Sequence, residues 1–246
     1  MKAQIIAIIL IFAGLLGGLP GLVGTDARAQ SVQPMRFDLK PSGTEAQTTM
    51  SVHNNRAYPI TVEMDAQAVV LDEAGREVLS AADDEFLIFP PQAIIQPGAT
   101  QSVRVQYIGE PDIDVSKSYR VNVTQLAVDL SGEQRSGVAV AFSFATLAGV
   151  VPPGAKPQVS VRTLTPGEAG TVTAEVVNEG DAYARALGHE WRLSDGNTEH
   201  VLTSQEIAAM IDGVSGLIPP RAERRFTFVL PDGFDPAATR LTVARE

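Results

Sequence analysis

The run GVAVAFSFATLAGVVPP, from Gly137 to Pro153, carries no charge and alternates large apolar with small side chains. Side chains of a β-strand point to opposite faces with period two. Val138, Val140, Phe142 and Phe144 therefore share one face, and Ala139, Ala141, Ser143 and Ala145 the other. A long, flat, apolar strand is an aggregation hazard wherever it lies at a sheet edge. A chain that contains one must bury it in its own fold or have it covered by another protein.

The same period recurs upstream. Met50 and Val52 alternate with Ser51 and His53, and Ile60, Val62 and Met64 with Thr61, Glu63 and Asp65. Val103, Val105 and Tyr107 alternate with polar neighbours, as do Tyr119, Val121 and Val123. Asp72-Glu73-Ala74-Gly75 reads as a turn between Val69–Leu71 and Val78–Leu79. With a first strand near Val32–Lys40 this predicts about seven strands, the count of an immunoglobulin-like sandwich. The proline-rich stretch Pro152-Pro153-Gly154-Ala155-Lys156-Pro157 cannot continue a ladder and marks a linker. A second β pattern follows it: Val159/Val161, Val172/Val176, Trp191/Leu193, Phe226/Phe228 and Leu241/Val243. Ser204–Ile211 reads as one short helix capped by Ser204. The expected fold is all-β, two sandwiches of about 120 and about 90 residues, within the usual domain size.

At the N-terminus a basic Lys2, the apolar stretch Ile5–Val23 and Ala27-Arg28-Ala29 make a cleavable secretory signal peptide over residues 1–29. The rival is a membrane anchor; Gly17, Gly18, Pro20 and the A-x-A site favour cleavage. The first domain is then 30–152 and the second 153–246. Cleavage removes Lys2, Arg28 and Asp26 and takes the formal charge from −10 to −11. So acidic a chain is poorly suited to nucleic acid, which is held through phosphate contacts. The chain has no cysteine, which excludes thiol chemistry and suits an exported periplasmic protein better than a disulfide-stapled extracellular one.

The segment Phe89–Asp129 resembles the periplasmic pilus-assembly chaperones of the chaperone–usher pathway. The residues that carry the resemblance are Pro90, Pro91, Pro97, Gly98, Gln101 and Arg104, followed by Asp114, Tyr119 and Asn122. Val52-His53-Asn54-Asn55, Val177-Asn178-Glu179-Gly180 and Tyr183 add weaker matches. The resemblance implies two immunoglobulin-like domains set as a boomerang. It implies that the last strand of the first domain is lent to a pilus or fimbrial subunit lacking its own, before delivery to an outer-membrane usher. Main-chain pairing supplies affinity in such strand addition, and alternate side chains supply specificity. The lent residues would be Val138, Val140, Phe142 and Phe144, with the small face packed inside the chaperone's own sandwich.

The chain departs from that family in two places. Typical members carry a basic residue on the lent strand which, with an Arg on the first strand, clamps the subunit's terminal carboxylate. Here the matching position is Leu147 or Ala148, and no Lys or Arg lies between Ser136 and Ala155. Arg36 is the best match on the first strand and Lys40 the second. The family's charge pair between domains falls on Ser116 and Val151, both uncharged, so the interface should be more apolar or more mobile.

No catalytic motif, cofactor site or dedicated metal loop is legible. His53 reads as surface. His189 and His200 flank Trp191 and could meet across a hairpin, which would be a weak metal hint. Asp83-Asp84-Glu85 reads as a solvated charge run without the spaced ligands of a calcium loop. Two alternatives to the chaperone stand: a structural sandwich module of a surface appendage or envelope assembly, and a sugar-binding or hydrolytic sandwich. An uncapped apolar strand could also self-pair into a dimer.

Overall fold

The computed structural model describes residues 30–126 and 141–245; the segment read as a signal peptide and the residues Val138 and Val140 lie outside them. The first domain is built from β1 (Ser31–Gln33), β2 (Arg36–Leu39), β3 (Gln47–His53), β4 (Ile60–Leu71), β5 (Glu77–Ala81), β6 (Phe86–Phe89), β7 (Gln92–Ile95), β8 (Thr100–Tyr107), β9 (Lys117–Leu126) and β10 (Ser143–Val150). One sheet runs β1-β3-β8-β6, and the facing sheet runs β2-β10-β9-β4-β5 with β7 also on β4. The expected first strand is thus two strands, one in each sheet. Ile60–Met64 and Val69–Leu71, read as separate, are one continuous strand.

The alternation read from the sequence sets the core. Met50, Val52, Val62, Val103, Val105, Tyr119, Val121 and Val123 are all buried between the two sheets. Two buried amides pin the loops. Asn54 donates to the carbonyls of Tyr58 and Ile95 and accepts from Arg56 N. In the second domain Asn178 donates to Ala182 O and accepts from Gln158 N and Gly180 N. A buried side-chain amide satisfied this way replaces ladder bonds that a turn cannot make.

The second domain comprises β11 (Val159–Pro166), β12 (Thr171–Asn178), β13 (Ala184–Arg185), β14 (His189–Ser194), β15 (Glu199–Val201), β16 (Leu217–Ile218), β17 (Ala222–Val229) and β18 (Arg240–Arg245), with one helix, α1 (Ser204–Met210). Its three sheets run β11-β12-β17, β13-β16 and β15-β14-β18. Trp191 fills its core edge-on to Phe226 and donates its indole N–H to Ala186 O. The helix cap is Thr203, one residue before the expected Ser204. Thr203 and Glu206 form a capping box, each side chain satisfying the other's backbone N–H.

The domains meet through hydrogen bonds, some of them to or from charged side chains, and one apolar plug. Ser116 N donates to Asp181 O (2.8 Å), and Tyr183 N donates to Ser116 Oγ (2.6 Å). Ser215 N donates to Gly75 O and its hydroxyl to Glu77 Oε1. Leu147, Val69 and Leu217 are buried against each other where the domains touch. Arg224 is buried and has no carboxylate partner among the described residues. It donates to the carbonyls of Leu217 and Ser215, reaches Gly75 O, and lies over the Phe226 ring. The uncharged Ser116 is therefore itself a joint between domains.

Candidate functional site

The site begins with the pairing of β10. Its downstream half, Leu147–Val150, has a neighbour on both sides: β9, antiparallel, and β2, parallel, with Leu147 opposite Arg36 and Val150 opposite Leu39. Its upstream half, Ser143–Thr146, pairs only with β9 among the described residues. Leu147 N donates to Met35 O (3.0 Å), whereas Phe142 O accepts from Gln125 N (2.9 Å). Backbone groups alternate between the two edges of a strand. The N–H and C=O groups of Ser143 and Ala145, which share the direction of Leu147, therefore face the free edge. No charge or proline guards it.

The faces of β10 are the reverse of the expectation. Ala148 and Val150 lie in the first domain's core, and period two carries Thr146, Phe144 and Phe142 onto the same side. Phe144 and Phe142 are half-buried against that core, rings 5.3 Å apart, where the sandwich opens. It is the small face, Ala141, Ser143 and Ala145, that is exposed. The alternation is as read, but which face is inward is decided by the register with β2 and β9. The Phe face leaves its own core gradually rather than standing clear of it.

On the odd face the chain runs from the exposed Ala145 to Leu147 and Gly149, which meet the second domain. Leu147, at the position where the resemblance implies a basic residue, is the interdomain plug. Gly149 lies against Asp38 and Tyr183, close enough that any Cβ would collide with both. Tyr183 donates its phenol to Asp38 Oδ1 (2.6 Å). Burial, then the adjoining carboxylate, push the phenol of Tyr183 well above its ordinary pKa.

Beside β2 a cleft of about 760 Å³ opens between the domains. Met35, Arg36 and Asp38 line one wall and Tyr183, Arg185 and His189 the other. Arg36 is exposed there, at the point where β2 begins. Lys40 stands past the far end of β2 and is not among the cleft's lining residues. Arg185 belongs to the second domain, far in sequence from Arg36, and no local pattern joins the two. Only its direction was legible: Tyr183 and Arg185 share a parity around the buried Ala184.

The remaining charged candidates have other roles. His189 Nδ1 bonds Arg185 O, and His200 Nε2 bonds Glu206, so the two histidines do not meet. His53 is partly buried and bonds Thr100. Asp83 and Asp84 are exposed, but Glu85 is no part of a solvated run: it accepts from Tyr119 (2.7 Å), Lys117 and Tyr107. Burial opposes ionisation of Glu85, yet these donors outweigh it and hold the carboxyl below its usual pKa.

Residues 31–146 match the model of the pili and flagellar-assembly chaperones, PapD N-terminal domain. No curated protein matches the chain. Among solved structures, a chain of the CsuC–CsuE chaperone–tip adhesion subunit pre-assembly complex, from the archaic chaperone–usher Csu pili of Acinetobacter baumannii, is similar with TM-score 0.56 and 14% identity, over 84% of this chain and 90% of that one. A chain of the Salmonella enterica SafA pilin–SafB chaperone complex gives 0.54 and 16%, over 81% and 84%. The E. coli chaperone DraB gives 0.52 and 18%, over 89% and 98%. Residues 31–146 thus belong to the pili and flagellar-assembly chaperone family, and the chain as a whole has the fold of a pilus-assembly chaperone.

Proposed function

We propose that this protein is a periplasmic chaperone that binds pilus or fimbrial subunits by lending them the upstream part of β10, and passes them to an outer-membrane usher. The observation that carries this reading is the half-paired β10. Its backbone groups at Ser143 and Ala145 face an open edge, and its Phe face runs out of its own core at Phe144 and Phe142. A chain laid along that edge gains main-chain bonds from β10 and covers the Phe face where the sandwich no longer does. Val138 and Val140 lie outside the described residues and enter the proposal by the alternation of the sequence alone. Arg36, at the end of the open edge, is the proposed anchor for the partner's terminal carboxylate, and Lys40, away from the cleft, is the weaker choice. Such binding needs no nucleotide or cofactor, because burial and pairing supply the energy.

Two variants test the reading. Ala145→Pro removes an N–H that faces the free edge and leaves the β9 ladder intact, since that ladder uses the alternate residues. Its expected result is at least a tenfold loss of co-purified subunit, with an unchanged circular dichroism spectrum. Val140→Glu with Phe142→Glu should do the same through the side chains. Capture that survives both variants overturns the proposal. A protein recovered within the finished fibre would point instead to a structural module.

A further inference from the structure

We propose that the cavity between the domains on the side of β4 and β9 is a pocket for an amphipathic monoanion, an aliphatic carboxylate, whose charge is received by the buried Arg224. This pocket shares no lining residue with the cleft beside β2. The inference goes beyond the edge pairing proposed above and does not depend on it.

The walls decide the body of the ligand. The cavity encloses about 600 Å³, within the range of small-molecule sites. Val70 and Leu71 of β4 line one side, and Leu217, Pro219 and Pro220 of the second domain the other. None of these side chains offers a hydrogen bond, so what they cover must be apolar. Val70 shows that the surface is left uncovered by the fold itself. Period two puts it on the face that carries Val62, Met64 and Ala66 into the core, yet it is 62% exposed.

The charged groups of the lining decide its sign. Three carboxylates take part, Asp72, Glu85 and Glu223, and each has a cation of its own. Asp72 is paired with Arg76 (2.9 Å), Glu85 with Lys117 (3.2 Å) and Glu223 with Arg162. Arg224 is the lining cation that remains. It is only 6% exposed. Its Nη1 donates to Leu217 O, and its Nη2 to Ser215 O and, at 3.5 Å, to Gly75 O. A guanidinium has five N–H donors. Its Nε–H and the second N–H of Nη1 therefore have no acceptor among the described residues. Burial pushes the pKa of Arg224 down, with the charge of Asp72 opposing it, although an arginine stays protonated throughout. A buried charge without a counterion is unfavourable, and a carboxylate is the acceptor that relieves a guanidinium best. A cationic ligand would be repelled here, and a neutral one would leave the charge unpaired. The lining thus fits one negative charge on an apolar body.

The test uses the intact protein and sodium octanoate as the probe. Acetate is the carboxylate without a body, and octanamide the body without a charge. The Arg224 Nε–H resonance is followed by NMR through each titration. Octanoate should shift it along a saturating curve. Octanamide should bind at least tenfold more weakly, the scale of one charge-assisted bond. Acetate should also be at least tenfold weaker, for want of buried methylenes. Because Arg224 also holds the joint, the variants are made at the exposed Val70. Val70→Glu, which adds a negative charge to the wall, should weaken octanoate severalfold, whereas Val70→Lys should not. Octanoate should raise the Tm as well, since its walls belong to both domains. An Arg224 that ignores octanoate overturns the pocket. So does acetate or octanamide binding as tightly as octanoate, an unchanged Tm at saturation, or equal affinity in the two Val70 variants. None of these outcomes bears on partner capture, which Ala145→Pro tests separately.

Discussion

Gly149 shows how narrowly single residues hold this cleft together. Its missing side chain lets Tyr183 reach Asp38 across the domain boundary. Gly149→Ala should push Tyr183 off and cost about 1–3 kcal/mol, the usual range for overpacking, read as a lower urea midpoint. Gly75 is constrained twice: its φ is +79°, and a Cβ there would stand 2.6 Å from Arg224 Nη2. Asn54 and Asn178 were legible as turn residues within the resemblance, but their carbonyl partners were not. Those partners lie on strands distant in sequence, and no local pattern names them. Arg185 is the same case at longer range. Its parity was readable, but its cation neighbour belongs to another domain.

At the scale of the element, the sequence determined the period of β10 and left its phase open. An alternating run has two equivalent faces until a neighbour fixes which of them is inward. Here the register with β9 and β2 places Ala148 and Val150 in the core, and every even residue follows. The strands with clear polar partners, β3, β8 and β9, came out with the expected faces inward because charge and amide settle their phase. β6 and β7 went unread because each is only four residues long and Pro90 and Pro91 separate them. In the helix, Thr203→Ala should remove the capping box and cost about 1 kcal/mol, measured by chemical unfolding. Ser204→Ala, at the residue first read as the cap, should be close to neutral.

The whole molecule depends on a joint whose principal charged feature is acid-sensitive. Burial would raise the pKa of Glu77, but bonds from Arg120 and Ser215 outweigh it and hold it below its ordinary 4.5. A lowered carboxylate stabilises the folded state fully above the unfolded value and loses that contribution as pH falls through the folded one. Thermal stability should therefore be insensitive to pH above 4.5 on account of this group and decline below it, and Glu77→Gln should remove that part of the decline. Leu147→Lys should bury a charge between Val69 and Leu217 and destabilise the joint by several kcal/mol. The position of β2 has one more consequence. If partners dock as proposed, β2, by stopping alongside the middle of β10, would make the cleft a ruler as well as a dock. A partner held at Arg36 by its last residue, as proposed, would be unable to slide, and strand side chains change face with every residue. Partners lengthened by one residue at that end would present the wrong face to the Phe side, whereas those lengthened by two would restore it. The chaperone would thus count its clients' termini in steps of two.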